Sequence, residues 1–266
     1  MLERGTAHFS LACLACLATT LAGCGSEHDL VIGRNDWILV RHDEFDALDL
    51  DFWELATHTF EDNQAWFTKQ NAKVEGGSLV LNVSKDTTPT APEAGQVPKP
   101  YAAAELRTRA LFLYGRFRAR ARLAPGTGII TAFWGFYDHY AIDGSAQIDN
   151  QIVIEGANVP QHQLRYFVVT PEHPVEPDTH TLDFDPSLGV HELGFDWTPF
   201  EVRFYLDGVV QSTVSAEASA GLQQYQRLVL SAYPSRAGWA GAFDDSVLPV
   251  AASFDWVEIS QYVGQR

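Results

Sequence analysis

From Gly115 to Leu123 the chain alternates strictly: Phe117, Ala119, Ala121 and Leu123 fall on one parity, and Arg116, Arg118, Arg120 and Arg122 on the other. A period of two marks a strand with one face in a core and the other in water, because successive strand side chains point to opposite sides. The same pattern recurs at Ser78 to Ser84, Ala103 to Arg109, Ile129 to Tyr137, Gln163 to Thr170, Glu201 to Leu206, Leu228 to Tyr233 and Ser253 to Ser260. Asp207-Gly208 sits between two such runs, as a type I′ hairpin turn requires. No segment carries an apolar stripe of helical period over three turns. Short strands at this spacing bury their faces as two packed sheets or as a barrel.

The chain has 266 residues, 46% of them hydrophobic, enough for one large β domain. Its formal net charge of −16 excludes a nucleic-acid partner, which needs clustered Lys and Arg. The four arginines of one strand read as its solvated face. Two proline-rich insertions, 86 to 100 and 171 to 189, are expected to be irregular loops that shape a binding site.

The first residues read as an export signal. Arg4 precedes 13 mostly apolar or small residues, Phe9 to Leu21, too short to span a bilayer as a helix. Leu21-Ala22-Gly23-Cys24 resembles the lipobox of bacterial lipoproteins. The resemblance implies removal of residues 1–23 and lipidation of Cys24. Cys13 and Cys16 would leave with the signal, so no disulfide could form in the mature chain. Residues 24–36 are expected to form a tether, and 37–266 the folded domain. Gly25 lacks the acidic side chain that retains many lipoproteins at the inner membrane, so an outer-membrane or surface location is expected.

Beyond the tether, motifs appear in a telling order. Asp43-Glu44-Phe45-Asp46 with Trp53 comes first, then Tyr101-Ala-Ala-Ala-Glu105-Leu-Arg107 and Tyr114-Gly115-Arg116-Phe117. Phe195-Asp196-Trp197, Tyr205-Leu206-Asp207-Gly208, Trp239-Ala240-Gly241-Ala242-Phe243 and Phe254-Asp255-Trp256 follow. Together they resemble family-16 glycoside hydrolases, the lichenases and related β-glucanases. The resemblance implies an all-β jelly roll of the concanavalin A type, two antiparallel sheets in a sandwich, with a polysaccharide or oligosaccharide cleft on one of them.

The family's catalytic strand reads Glu-Ile-Asp-Ile-Glu, nucleophile first and acid/base last. Positions i, i+2 and i+4 share the cleft face, and the intervening residues enter the core. Retaining hydrolysis needs its two carboxyl groups about 5–5.5 Å apart. Here the chain reads Gln147-Ile148-Asp149-Asn150-Gln151-Ile152-Val153-Ile154-Glu155. One register gives the roles to Gln147, Asp149 and Gln151; the other gives them to Gln151, Val153 and Glu155. The second is favoured because it buries Ile152 and Ile154. The first would bury Asn150, at a cost of about 1–3 kcal/mol without a partner. In both registers the nucleophile position holds glutamine, which cannot form a covalent glycosyl intermediate.

By the same resemblance, Trp134, Tyr137, Trp239, Tyr101, Glu105 and Arg107 are expected to contact substrate. Trp197 and Trp256 are expected in the core, and His191 in a structural role. Asp255 matches a position that helps hold a structural calcium in some members, although one carboxylate is thin for a site of six to eight oxygens. No other cofactor is implied. His162, His173 and His180 lack metal-ligand spacing. The leading expectation is a glycan-holding lipoprotein with impaired catalysis. The alternatives are a hydrolase with an atypical site and a scaffold lipoprotein whose loops bind protein. The sequence leaves oligomeric state open.

Overall fold

The computed structural model describes residues 36–85, 98–139, 150–157, 162–170 and 176–264. The N-terminal leader, Cys24, Gln147, Asp149, His173 and most of the 86–100 insertion lie outside these. Each alternating segment of the sequence forms a strand. One sheet runs in the order β14 (Val209–Ser215), β13 (Glu201–Leu206), β12 (His191–Trp197), β7 (Gly115–Arg122), β16 (Val250–Tyr262), β5 (Ser78–Val83) and β4 (Ala72–Glu75). β1 (Trp37–Asp43) pairs with the C-terminal half of β16, beside the stretch that pairs with β5. The other sheet runs β11 (Asp178–Thr181), β10 (Gln163–Val169), β9 (Gln151–Ala157), β8 (Ile129–Phe136), β15 (Arg227–Pro234), β6 (Tyr101–Thr108) and β2 (Trp53–Leu55). These neighbours are antiparallel; β3 (Ala65–Phe67) joins β6 in parallel.

The two sheets meet through their apolar faces. Phe117, Phe195, Phe204, Val257 and Ile259 from the first pack with Phe133, Ile152, Ile154, Tyr166 and Leu230 from the second. Phe133 meets Phe195, and Tyr166 meets Phe204, each with ring centroids 5.7 Å apart. Between β13 and β14, Asp207 and Gly208 have φ of 49° and 76°, the double left-handed turn their sequence announces. The opening motif is a structural latch. Asp43 accepts from Trp53 Nε1 at 2.8 Å, from Arg41 Nη2 at 2.6 Å and from the Phe45 amide at 3.0 Å. Burial opposes its charge, but these bonds hold the carboxyl below the usual carboxylate range.

The arginine strand β7 turns its polar face outward, as expected, but the face is built rather than merely solvated. Asp196 on β12 accepts from Arg116 Nε and Nη2 at 3.0 and 2.8 Å and lies 2.8 Å from Arg118 Nη2. The Tyr205 hydroxyl donates to the same carboxylate.

Three expectations need correction. The second proline-rich insertion is not all loop: Asp178–Thr181 adds an edge strand to β10. Trp256 is half-buried and outside the core, its ring tilted against His42 with centroids 5.6 Å apart. A bulge at Asp255 resets the parity of β16, so Phe254 and Val257 point inward while Trp256 pairs with Arg120 on the outer face. Asn150 is 1% exposed, yet it is paid no desolvation penalty in isolation. Its amide donates to Gly221 O at 2.6 Å, and its carbonyl oxygen accepts from Gln226 Nε2 at 2.8 Å. Burial of Asn150 is therefore no argument against a register.

Candidate functional site

Register fixes which side chains are neighbours on the outward face of the second sheet. One row across β6, β15, β8, β9 and β10 reads Glu105, Ser231, Ala132, Glu155, Arg165. The next reads Arg107, Val229, Trp134, Val153, Phe167, and the one after it Arg227, Phe136, Gln151, Val169 across β15 to β10. The opposite parity of β9 supplies Ile152 and Ile154 to the core, both at 0% exposure. Gln151, Val153 and Glu155 thus share one face with Trp134, Glu105 and Arg107.

At the β6 end of this face the charges form a chain. Glu105 Oε1 accepts from Arg107 Nε at 2.6 Å, and Arg107 Nη2 lies 2.8 Å from His58 Nε2. A guanidinium has only donors, so His58 must be neutral to accept it. Burial, then Arg107, lowers the His58 pKa. Asp138 Oδ2 lies 3.9 Å from Arg107 Nη1 and 3.1 Å from Arg227 Nε, and Arg227 Nη1 donates to Glu54 at 2.8 Å. Burial pushes the Glu105 carboxyl up while Arg107 opposes it.

Glu155 sits three strands from Glu105, roughly 14 Å across the sheet. Its side chain is 12% exposed, and Arg165 Nη1 lies 3.0 Å from Oε1. Burial pushes the carboxyl up to about 7 despite Arg165. The Arg165 guanidinium stands 4.7 Å from the Trp239 ring centroid. Trp239, Trp134 and Tyr233 pack around Ile130, Ala132, Ala157 and Ala240, a small apolar patch apart from the core. Trp134 Nε1 and Ser231 Oγ are buried without a hydrogen-bond partner. The half-buried Trp134 and Trp239 rings give the patch an aromatic surface beside the Arg165 guanidinium, which suits a ring that has an apolar face and polar edges.

The structure therefore brings Trp134, Trp239, Gln151 and Glu155 to one face, with Glu105 and Arg107 at its β6 end. Tyr101 lies elsewhere on β6: its hydroxyl donates to Asp245 at 3.1 Å, and its ring meets Phe243 edge-on. Tyr137 is buried just past the end of β8. Asp255 accepts from Ser78 Oγ at 3.1 Å and lies 3.8 Å from Arg120 Nε, and among the described residues no group of three His, Cys, Asp or Glu side chains could hold a metal. His191 bonds Asp207 at 2.8 Å and stacks on Phe184, a structural placement.

The sequence profile of the glycosyl hydrolases family 16 matches residues 60–258. The chain belongs to glycoside hydrolase family 16. Among its family-16 relatives, a β-glucanase of Brevibacillus brevis is 26% identical over 221 residues, 81% of this chain and 80% of that protein. A glucan endo-1,3-β-glucosidase of Cryptopygus antarcticus is 30% identical over 195 residues, 68% of this chain and 70% of that one. Several further relatives are longer, and the chain spans about half their length or less. The catalytic domain of an endo-1,3-β-glucanase (laminarinase) from Thermotoga petrophila superposes with a TM-score of 0.75 at 22% identity, over 86% of this chain and 99% of that one. That likeness is one of fold.

The family motifs divide by role in this family-16 domain. Asp43, Asp196 and Asp207 hold the scaffold, whereas Glu105, Arg107 and Trp239 reach the outward face. Sequence reasoning missed Arg165, Ser231, Tyr233, Asp138 and Arg227. Single Arg, Ser or Tyr residues within strands carry no pattern, and only the pairing of β9 with β10 and of β8 with β15 brings them to the site, while Asp138, past the end of β8, is placed by Arg227 and Arg107.

Proposed function

We propose that this domain binds polysaccharide on the outward face of its second sheet, and that ordinary retaining hydrolysis is impaired. The observation that carries the reading is the face of β9 itself: Gln151, Val153 and Glu155 present one carboxylate where double displacement needs two. Among the described residues, the other acids on this face, Glu54, Glu105 and Asp138, are each paired with arginine at its far end. Gln151 keeps the hydrogen-bonding shape of glutamate without its charge, and an amide is too weak a nucleophile to attack an anomeric carbon. The aromatic patch of Trp134 and Trp239 supplies the stacking surface. The names of the relatives make β-glucans the first ligands to try.

The leader ending at Leu21-Ala22-Gly23-Cys24 supports export and a lipid anchor at Cys24, which would hold the glycan near the membrane surface. Mass spectrometry of the mature N-terminus tests this: a free, unmodified N-terminus beyond the signal would overturn it.

One observation favours a second reading, hydrolysis by an atypical site. A carboxyl pushed up to about 7 by burial holds its proton in about half of the molecules at neutral pH, enough to serve as a general acid. A 2-acetamido sugar could then supply the nucleophile that Gln151 cannot. A paired assay of binding and reducing-end release on β-glucans, xyloglucan, agar, carrageenan and chitin oligomers separates the two, with Gln151→Glu and Glu155→Gln alongside. Binding without release supports the glycan-holding reading. Release that vanishes in Glu155→Gln sinks it in favour of the hydrolase.

A further inference from the structure

The cross-strand pair of Glu155 and Arg165 gives the face a positive group that no family motif above accounts for. Arg165 is held between the Glu155 carboxylate, 3.0 Å away, and the Trp239 ring, 4.7 Å away, with Phe167 at 5.6 Å. Its side chain is 19% exposed, so the fork is desolvated on most sides while still reachable. The nearby polar atoms are also donors. Trp134 Nε1 can only donate, and with Ser231 Oγ it is buried and unpartnered. Ala132, between Ser231 and Glu155 in the same row, is buried beneath the aromatic patch.

We propose that Arg165, standing over Trp239, forms a subsite for an anionic sugar unit, taking a uronate carboxylate or a sulfate ester in place of Glu155. The proposal rests on the reading of this face as carbohydrate-binding, and it names the chemical class of the sugar. A planar guanidinium fork matches either oxyanion with two parallel hydrogen bonds, which a neutral hydroxyl cannot do. Glu155 can surrender the pair. The groups that face it are Arg165 from β10, Tyr233 from β15, and the uncharged Ala132 and Trp239. Burial already holds its carboxyl up to about 7, so it takes a proton when a ligand anion replaces it beside Arg165. The charge of −16 on the whole chain does not forbid this. At physiological ionic strength charges beyond about 8 Å are largely screened, whereas a desolvated contact pair is not.

Titration calorimetry of the full chain at neutral pH and physiological ionic strength tests the proposal. The probes are matched neutral, C6-carboxylated and sulfated oligomers of a β-glucan and of a galactan. The expected result is that a carboxylated or sulfated member binds about 10-fold or more tightly than its neutral counterpart, and the two charged arms tell which oxyanion is preferred. In Arg165→Gln the ratio of charged to neutral affinity falls toward one. Arg165→Lys keeps the charge without the fork and gives a ratio between the two. Arg120→Gln, the same charge change on the opposite sheet, keeps the full ratio, and melting curves verify that each variant is folded. Equal affinity for neutral and charged members, or a ratio that survives Arg165→Gln, overturns the proposal and leaves carbohydrate binding standing. Binding of none of the probes overturns both.

Discussion

Glu155 Oε1 lies 3.0 Å from Arg165 Nη1 on the neighbouring strand, yet burial outweighs this cation and pushes the carboxyl from 4.5 up to about 7. The sign of the consequence follows from proton counting. Between those two values the folded chain holds a proton that the unfolded chain has lost, so stability falls as pH rises through the window. Each unit corresponds to about 1.4 kcal/mol, so the swing is on the order of 2–4 kcal/mol. Glu155→Gln has no such proton to lose. Urea unfolding at a series of pH values is expected to show the wild type losing ground to the variant between about pH 4.5 and 7. Parallel curves would mean that Glu155 titrates like an exposed carboxylate.

A second expectation concerns the residue just before β9. Asn150 bridges Gly221 O and Gln226 Nε2 in a buried setting. Replacing it with isoleucine keeps bulk but strands a carbonyl and an amide donor away from water. Each stranded group costs about 1–3 kcal/mol, so a loss of about 2–4 kcal/mol is expected for Asn150→Ile in chemical denaturation. A loss below 1 kcal/mol would show that water reaches both groups.

Most of the fold was legible because most of it is alternation. Gly115 to Leu123 announces β7, and Asp207-Gly208 announces the β13–β14 turn, since local sequence dictates both. The failures have a shared cause: they depend on what a segment pairs with. Asp178–Thr181 is polar and mostly exposed, with no apolar parity to betray it, and becomes a strand because β10 offers an open edge. Trp256 obeys alternation until the bulge at Asp255 reverses it. The site was legible in part for the same reason. Glu105, Arg107 and Trp239 stand within motifs, while Arg165 gains its meaning only opposite Glu155.

The outer face of the first sheet gives a further test. Asp196 is 4% exposed in its side chain and is shared by Arg116, Arg118 and the Tyr205 hydroxyl. Removing one member of such a pair strands the other charges, at a cost of about 3–5 kcal/mol when fully buried. Arg116 is 35% exposed and regains water, so about 2–3 kcal/mol is expected for Asp196→Asn. Thermal melts should show this loss while glycan binding on the opposite sheet is retained. If binding falls with no loss of stability, the arginine face is a ligand groove after all.

The last expectation concerns the glycine beside Glu155. Gly156 points into the core, where an added Cβ would run into Leu123 Cδ2 and come within 2.7 Å of Leu164 Cδ2. Its φ is not in the left-handed region, so space rather than backbone freedom demands glycine here. Gly156→Ala must push β9 away from Leu123 or force both leucines off their rotamers, and overpacking of this kind costs about 1–3 kcal/mol. Trimming Leu164 to alanine alone also destabilises, by opening a cavity. The double variant relieves part of the clash with part of the cavity, so its loss should be smaller than the sum of the two single losses by about 1 kcal/mol. Urea unfolding of the four chains measures that coupling, and strict additivity would place the burden of Gly156 on Leu123 alone.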